Sequence, residues 1–434
     1  MSRISVAKQP LQVWLLAQHV GELSRINGQL TFKYAPAWLV QSTATPLSHS
    51  LPLRTQPFVD GPVKSFFAGL LPEGQLRHMI SQQLQVSAQN EFALLDQIGG
   101  ECAGAVSLRK GGNEPTPLSH TVAAPQWLAQ EELHKILEEL PRRPMLAGKD
   151  GLRLSLAGAQ DKLPVIAQWS KADGLRIALP RGNAPSTHIL KPAIVGLEGS
   201  VANEAFCLAL ARSIALPTAQ AQMGSVGSGV AAKHFLLVQR YDRTGELKRR
   251  ANAKVLRLHQ EDFCQALGLM PEFKYQNEGG PDVVQCFALL REITRPSAPH
   301  VLRLLDAVIF NTLLGNHDAH AKNFSVLYAP HATFAPLYDL LCTAVYPRLS
   351  AKMAMKIGSQ YQFSYLKASH WDALAAQAGL SPAQTRRRVG QLARQMPQAA
   401  AQLAQAPEFA GHAIVSKLVA LLTKRCVRMQ EVLG

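Results

Sequence analysis

A carboxylate and an amide lie five residues apart in this chain, at Asp318 and Asn323. Phosphoryl transfer uses these residue types at this spacing: the carboxylate orients the attacking hydroxyl and the amide oxygen holds Mg²⁺, as in the catalytic loops of protein kinases. Because the transferred group needs little covalent help, positioning and charge neutralisation carry most of the catalysis. Asp318 is therefore the candidate catalytic residue, and Asn323 is a candidate metal ligand.

Three further residues follow the order that such a phosphotransferase requires. Asp339 comes sixteen residues after Asn323 and supplies a second oxygen ligand suited to Mg²⁺. Lys191 ends a short strand-like run, where it can neutralise charge on the α- and β-phosphates of ATP, and Glu204 is a candidate ion-pair partner for it. Taken singly, a loop aspartate, a strand-end lysine and a first-turn glutamate each also fit a purely structural role.

Two histidines flank the aspartate, at positions His317 and His320. A His-Asp-x-His pattern also occurs in metal-dependent phosphohydrolases, so a transition-metal site is an alternative. No second cluster of histidine and aspartate at ligand spacing is evident elsewhere in the sequence. We therefore interpret His320 as a residue that supports the loop beside the nucleotide.

Two segments are candidates for contacting the phosphates of a nucleotide. Residues 224–229 hold three glycines but lead into a strand, so we interpret them as a hairpin turn. Residues 155–162 combine small residues, which let backbone amides approach phosphate oxygens, with a hydroxyl, an amide and a lysine. The candidate phosphate-binding residues in this second segment are Gly158, Ala159, Gln160 and Lys162.

The composition indicates a globular protein with a basic surface. Hydrophobic residues make up 47% of the chain, and it contains no run of 18 apolar residues, which argues against a membrane span. Six scattered cysteines form no CxxC pair, so we expect reduced thiols and a cytoplasmic protein. A formal charge of +15 favours contact with nucleic acid or another polyanion; basic surface for solubility, together with residues that grip ATP, is the alternative.

The periodicity predicts strands first and helices last. Residues 1–110 are typical of short strands and turns with some helix, and include a hairpin over 21–34. Residues 126–140 are typical of a helix. A second helix should begin at a cap on Ser200 or Asn203, and a third, over 301–314, should end at Gly315 just before the candidate catalytic loop. We expect three domains, over residues 1–145, 146–255 and 256–434, with the site at a junction between strand-rich and helical parts.

These residues also carry a resemblance to a known family, the HipA family of bacterial serine/threonine-protein kinase toxins from type II toxin–antitoxin modules. The similarity covers nearly the whole chain, and the segments 155–162 and 318–325 are its most specific parts. The other matching segments are residues 20–23, 31–36, 67–72, 187–191, 239–243, 260–265, 279–281 and 338–339.

The resemblance implies an α+β, bilobal protein-kinase-like fold with an extra N-terminal strand-rich subdomain and a mostly helical C-terminal lobe. It assigns ATP and Mg²⁺ as cofactors, Asp318 to catalysis, Asn323 and Asp339 to Mg²⁺, and Lys191 to the nucleotide. It places Ser155 where family members phosphorylate themselves and so silence the kinase. The residues that it puts at the adenine-side hinge are Gln239, Arg240 and Tyr241.

The resemblance also implies partners. A small HipB-type helix-turn-helix antitoxin binds family members, the complex sits on operator DNA, and the run Arg386 to Arg388 fits that arrangement. Family substrates include aminoacyl-tRNA synthetases, notably glutamyl-tRNA synthetase, whose phosphorylation arrests growth. A catalytically silent nucleotide-binding partner in a repressor complex and a small-molecule phosphotransferase are the alternatives.

Two positions depart from the expected pattern. Gln239 stands where an acidic hinge residue is expected, although hinge contacts made by the backbone would survive this change. His317 occupies the place of the arginine in an HRD triplet, so activation by a phosphorylated loop that clamps this arginine is excluded. Neither change removes a reacting group.

Overall fold

The computed structural model describes residues 9–15, 18–111, 124–149, 151–170, 174–182, 184–245 and 255–434. The chain divides into two compact units, one formed by residues 1–190 and 242–272 and the other by residues 191–241 and 273–434. Both units are built from two separate stretches of the chain. The three domain ranges expected from the sequence stay a prediction.

The elements of the first half of the chain mix strands with short helices. In chain order they are β1 (Leu11–Leu15), β2 (Gln18–Ile26), β3 (Gln29–Tyr34), α1 (Pro36–Leu39), β4 (Phe58–Val59), α2 (Pro62–Ala68), α3 (Gly74–Gln83), α4 (Glu91–Ile98), β5 (Val106–Lys110), α5 (Gln130–Glu139), β6 (Leu163–Ser170), β7 (Gly174–Ala178) and β8 (His188–Pro192).

The elements of the second half include the longest helices of the described residues. They are α6 (Ser200–Ser213), β9 (Ala221–Val226), β10 (Lys233–Gln239), β11 (Arg243–Thr244), β12 (Leu256–Arg257), β13 (His259–Asp262), α7 (Phe263–Ala266), α8 (Val283–Ile293), α9 (Ala298–Leu314), β14 (Ser325–Tyr328), β15 (Ala332–Phe334), β16 (Lys352–Ile357), β17 (Gln360–Gln362), α10 (Ala368–Gln377), α11 (Pro382–Leu403) and α12 (Ala413–Leu433).

The first unit is organised around an antiparallel sheet in the order β4-β3-β2-β1-β5. The predicted hairpin is present: β2 and β3 pair with Gly21 opposite Tyr34 and Leu23 opposite Phe32. Asn27 and Gly28 form its turn with φ of 51° and 86°, the left-handed backbone that a two-residue hairpin loop needs. Alternate side chains of these strands pack into a buried core with α2 and α4, so this region combines strands with some helix, as predicted.

A smaller set of strands in the first unit leads to the boundary between the units. β6 forms an antiparallel hairpin with β7 and pairs with β8, where Leu163 lies opposite Leu190. β8 continues across the boundary, so that Lys191 is the first residue of the second unit.

In the second unit, β9 and β10 confirm that residues 224–229 belong to a hairpin. Gly224 lies within β9 opposite Phe235, and a side chain at this position would meet the phenyl ring at 2.5 Å. Gly227, with φ of 83°, lies at the turn. These glycines therefore serve strand packing and chain reversal.

The helices of the second unit carry the catalytic-type loop. α9 ends at Gly315 as predicted, with a left-handed φ of 82° and its backbone N–H on the carbonyl of Asn311. α6 begins at Ser200, but the predicted caps are wrong. The residue before the helix is Gly199, the Ser200 hydroxyl accepts a bond from the backbone of Ile194, and Asn203 is buried inside the helix.

Among the described residues, no helix has the length and apolar character needed to cross a membrane. All six cysteines are buried and unlinked by disulfides, as their scattered positions predicted.

Candidate active site

The backbone of the candidate catalytic loop is held by side-chain amides. Asn316 is buried and donates to the side-chain oxygen of Asn311 at 2.8 Å, while its own side-chain oxygen accepts from the backbone N–H of Asp318 at 3.2 Å. Asn323 Nδ2 donates to the backbone carbonyl of Asp318 at 2.8 Å. The loop backbone is therefore fixed, whereas the Asp318 side chain is 52% exposed and can meet a substrate.

The chemistry of Asn323 and Asp339 suits Mg²⁺. Since Asn323 uses its nitrogen in the bond to the loop backbone, its oxygen is the atom that would bind a cation. Mg²⁺ accepts oxygen ligands and keeps several waters, so two protein oxygens are a sufficient donor set. The described residues contain no group of three or more histidine, cysteine, aspartate or glutamate side chains arranged for a metal ion.

Lys191 is the electrostatic centre of the site. Its side chain is buried, and its Nζ forms ion pairs with Glu204 Oε1 at 2.6 Å and with Asp339 Oδ1. Burial by itself would lower the pKa of Lys191, but the charges of Asp339 and Glu204 outweigh it and leave this pKa raised. The lysine is therefore charged at neutral pH. The structure thus brings together three residues that the sequence suggested, one on β8, one on α6 and one after β15.

Asp339 itself has an unusual backbone. Its φ of 52° lies in the left-handed region, which aspartate tolerates better than most residues. Conformations of this kind are concentrated at functional sites, where the surrounding structure imposes them. Asn316 Nδ2 also lies 3.4 Å from the carbonyl of Asp339, so one amide links the catalytic-type loop to this turn.

The segment before Asp339 connects to the predicted hinge. Tyr338 Oη hydrogen-bonds with the Ser325 hydroxyl at 2.6 Å and donates to the carbonyl of Lys322 at 2.8 Å. Its ring stacks on Tyr241 with the centroids 5.6 Å apart. The Gln239 N–H at the end of β10 donates to the Gln220 carbonyl at 2.7 Å.

The two histidines have different surroundings. The backbone N–H of His317 donates to the Thr343 hydroxyl at 2.8 Å, and its ring Nδ1 hydrogen-bonds with the backbone carbonyl of Ser350 at 2.9 Å. Burial lowers the pKa of His317, which favours the neutral ring. His320 is buried, with its Nε2 at 3.8 Å from Asp318 Oδ1. This contact agrees with a supporting role for His320.

The candidate phosphate-binding loop belongs to the first unit, and its Ser155 and Lys162 side chains are buried. Ser155 is completely buried; its hydroxyl donates to the Leu70 carbonyl at 2.7 Å, and its N–H donates to the Glu101 carbonyl at 2.9 Å. Lys162 Nζ donates to the Ala157 carbonyl at 2.6 Å and closes the loop. A side chain at Gly158, whose φ is 107°, would lie 2.6 Å from this Nζ. Ala159 is exposed and Gln160 is half-buried.

Three residues that contact the catalytic-type loop or the helix before it were not predicted from the sequence. Tyr275 donates a hydrogen bond to Asp318 Oδ1 at 2.5 Å, and Arg425 of α12 donates to the carbonyls of Leu313 and Thr312 at 3.0 and 2.7 Å. No local pattern marks these two residues, because each contacts the loop from a distant part of the chain. Asn316 was detectable, since it lies inside the candidate loop.

Comparisons with known proteins identify the family. The HipA N-terminal domain matches residues 11–109, and the HipA-like C-terminal domain matches residues 154–400. The fold and the loop define a kinase-like α+β protein, as predicted. The chain belongs to the HipA family.

Individual relatives agree with this assignment. A Sinorhizobium fredii protein named "Putative kinase Y4mE" is 46% identical over 88% of this chain and 89% of its own length. The serine/threonine-protein kinase toxin HipA of Shewanella oneidensis is 30% identical over 89% of each chain. A chain of the solved Shewanella oneidensis complex of HipA, HipB and operator DNA has a TM-score of 0.81 at 27% identity, covering 97% of this chain and 99% of that one.

Proposed function

We propose that this protein is an ATP- and Mg²⁺-dependent protein serine/threonine kinase and the toxin of a type II toxin–antitoxin module. The observation that supports this most directly is the buried Lys191, paired with Glu204 and Asp339 in the same unit as the Asp318–Asn323 loop. A lysine, an orienting carboxylate and two oxygen ligands are the parts that phosphoryl transfer requires. The kinase names of the relatives agree with this proposal.

Each residue has a defined task in the proposed reaction. Asp318 accepts a hydrogen bond from the acceptor hydroxyl and aligns its oxygen with the γ-phosphorus; the new O–P bond forms as the bond to the β-phosphate oxygen breaks, and the hydroxyl proton passes to the Asp318 carboxylate. Lys191 holds the α- and β-phosphates. Bound through Asn323 and Asp339, Mg²⁺ would neutralise charge on the phosphate oxygens.

The nucleotide has further proposed contacts. Gly158, Ala159, Gln160 and Lys162 would line the phosphates, and His320 would support the loop beside them. The backbone of Gln239, Arg240 and Tyr241 would contact the adenine. A backbone contact does not depend on the side chain, so the glutamine at the hinge is compatible with this role.

Ser155 is the proposed site of self-phosphorylation. Its hydroxyl is buried and donates to the Leu70 carbonyl, so it cannot accept a phosphoryl group in this conformation. The loop must open first, and a phosphate of about −2 charge would then prevent its return to a buried site. Self-phosphorylation would therefore silence the kinase.

The proposed partners follow from the family. A HipB-like helix-turn-helix antitoxin would bind the protein in the cytoplasm, and the complex would sit on operator DNA, as in the Shewanella oneidensis assembly of HipA, HipB and operator DNA. The proposed substrate is an aminoacyl-tRNA synthetase, with glutamyl-tRNA synthetase as the first to test. Phosphorylation of such an enzyme would stop tRNA charging and arrest growth.

Phosphotransfer from labelled ATP tests the proposal. The purified protein is incubated with Mg²⁺ and glutamyl-tRNA synthetase, and labelled residues are mapped by mass spectrometry. We expect label on the synthetase and on Ser155, and Asp318→Asn should lower the rate by about 10²–10⁴-fold. Glu408→Gln, which removes an exposed acid far along the chain, should keep the wild-type rate.

Three outcomes would contradict the proposal. Full activity of Asp318→Asn would exclude the proposed role of this carboxylate. ATP binding without any labelled product would indicate a silent nucleotide-binding partner of a repressor complex. Label found only on a small hydroxylated compound would indicate a small-molecule phosphotransferase.

A further inference from the structure

The Asp318 carboxylate is held by one distant side chain. Its backbone is fixed by Asn316, Asn323 and the N–H of His320, and His320 Nε2 lies 3.8 Å from Oδ1, a distance too long for a hydrogen bond. The short bond from Tyr275 Oη, at 2.5 Å, is made to the carboxylate itself, across 43 residues of sequence. Because the terminal torsion of an aspartate is broad, a bond of this kind determines where the second oxygen points.

Tyr275 lies at the start of a tight, hydrogen-bonded turn. Its carbonyl accepts bonds from the N–H groups of Glu278 and Gly280 at 3.0 and 2.9 Å. A side chain at Gly280 would meet the backbone oxygens of Phe273 and Tyr275 at 2.2 and 2.7 Å, and backbone cannot give way as a flexible side chain can. The tight Gly279-Gly280 turn therefore has a local role, because it closes the chain onto the carbonyl of Tyr275.

Two neighbours hold the same segment from other sides. Gln276 accepts a bond from the backbone N–H of Lys356 on β16 at 2.7 Å, which anchors the turn to a strand. The ring of His320 packs edge-on against the Tyr275 ring, with the centroids 5.1 Å apart and the planes at 83°. The segment that carries the Tyr275 phenol is thus held on both sides when the phenol contacts Asp318.

We propose that Tyr275 is a positioning residue of the catalytic centre, whose phenol fixes the Asp318 carboxylate so that its other oxygen faces the acceptor hydroxyl. This inference rests on the proposed kinase function. A tyrosine held by its neighbours suits such a role. A phenol that only occupied the site of the acceptor hydroxyl would instead have to move away in every turnover. The effect is preorganisation, and misplacement of a reacting group by about 1 Å costs roughly 10²-fold in rate.

Tyr275→Phe tests the proposal, since it removes the hydroxyl and keeps the ring that packs on His320. Phosphotransfer is measured with labelled ATP to glutamyl-tRNA synthetase and to casein as a generic acceptor. We expect kcat to fall about 10- to 100-fold, with KM for ATP and for the acceptor within about twofold of wild type. Tyr365→Phe, a change at an exposed tyrosine of the same unit, should leave kcat unchanged.

A double-mutant cycle separates positioning from a general structural effect. If Tyr275 acts through Asp318, the residual label transfer of Asp318→Ala should not fall further in Tyr275→Phe/Asp318→Ala. The thermal unfolding midpoint of Tyr275→Phe should agree with that of the wild type, and the midpoint of the double variant with that of Asp318→Ala.

The inference would be overturned by an unchanged kcat in Tyr275→Phe, by additive losses in the double variant, or by a lower KM for the acceptor. The last result would mean that the phenol competes with the acceptor. Failure of the kinase proposal looks different, because the wild-type protein itself would then transfer no label to protein, or Asp318→Ala would keep wild-type phosphotransfer.

Discussion

At the scale of single residues, Lys191 decides the electrostatics of the site. It is one buried cation between two carboxylates, and only one of these, Asp339, belongs to the set that would bind Mg²⁺. Glu204 is buried on α6 and keeps the lysine charged and in place. The two carboxylates therefore have separate proposed tasks, and substitution can distinguish them.

We predict that Lys191→Met destabilises the protein by about 3–5 kcal/mol, because it leaves the buried Glu204 carboxylate without its partner. Lys191→Met/Glu204→Met should regain part of this stability, since an apolar pair replaces the ion pair, but should regain no phosphotransfer. Urea unfolding and label transfer from ATP measure the two properties. Lys352→Met, at an exposed lysine, serves as the control. A double variant no more stable than the single one would contradict the prediction.

At the scale of elements, the C-terminal helix stabilises the end of α9. Arg425 of α12 donates to two of the last carbonyls of α9 and lies 3.7 Å from the centroid of the Phe363 ring. Burial lowers the pKa of Arg425 to about 10, so the side chain is still charged at neutral pH. A cation at a helix C-terminus satisfies carbonyls that lack helical partners. Because α9 leads directly into the catalytic-type loop, α12 also supports that loop.

Arg425→Met should lower the free energy of unfolding by roughly 2–4 kcal/mol, as buried carbonyls lose a charged donor. It should also reduce phosphotransfer in the variant that remains folded, because the loop after Gly315 loses its support. Chemical unfolding and rate measurements at a temperature well below the transition check both effects. Lys424→Met, at the exposed preceding position, should change neither, and equal effects of the two substitutions would refute this account.

The basic run on α11 has a structural use that composition did not reveal. Arg388 forms a bidentate pair with Asp306 of α9 at 2.6 and 2.7 Å, and Arg386 lies 3.2 Å from Asp372 of α10. These arginines therefore join helices. The association of this run with an operator-bound complex stays a prediction.

At the scale of the whole molecule, the proposed regulation depends on a loop whose serine hydroxyl is buried. Ser155 and Lys162 both use hydrogen bonds to close the loop of the first unit. A charge introduced at Ser155 cannot remain in a completely buried position without a partner, so the loop must leave it. Opening of this loop would remove the small residues that are proposed to hold the phosphates.

Ser155→Asp should weaken ATP binding by about tenfold, equivalent to about 1.4 kcal/mol. It should also make Lys162 accessible to trypsin, because the bond from Lys162 to the Ala157 carbonyl is lost when the loop opens. Titration with a fluorescent ATP analogue and limited proteolysis measure these effects. Ser155→Asn is the matched control, because asparagine has nearly the same shape as aspartate but carries no charge. Normal ATP affinity in Ser155→Asp would contradict the prediction.

The sequence by itself determined the local features of this protein. The helix that ends at Gly315, the hairpin over residues 21–34 and the order of Lys191, Asp318, Asn323 and Asp339 all depend on residues close together in the chain, where spacing and backbone preference suffice. The family resemblance then supplied the fold. The caps of α6 were mispredicted because Asn203 binds the backbone of Cys342, far along the chain, instead of its own helix.

Only the tertiary structure decided which distant groups meet. Lys191 and Asp339 are 148 residues apart, Tyr275 and Asp318 are 43 apart, and Arg425 reaches carbonyls more than 100 residues before it. Such contacts depend on how whole elements pack, and packing leaves no periodic or spaced pattern in the residues that it joins. The candidate reacting groups could thus be proposed from the sequence, whereas the side chains that contact them required the folded chain.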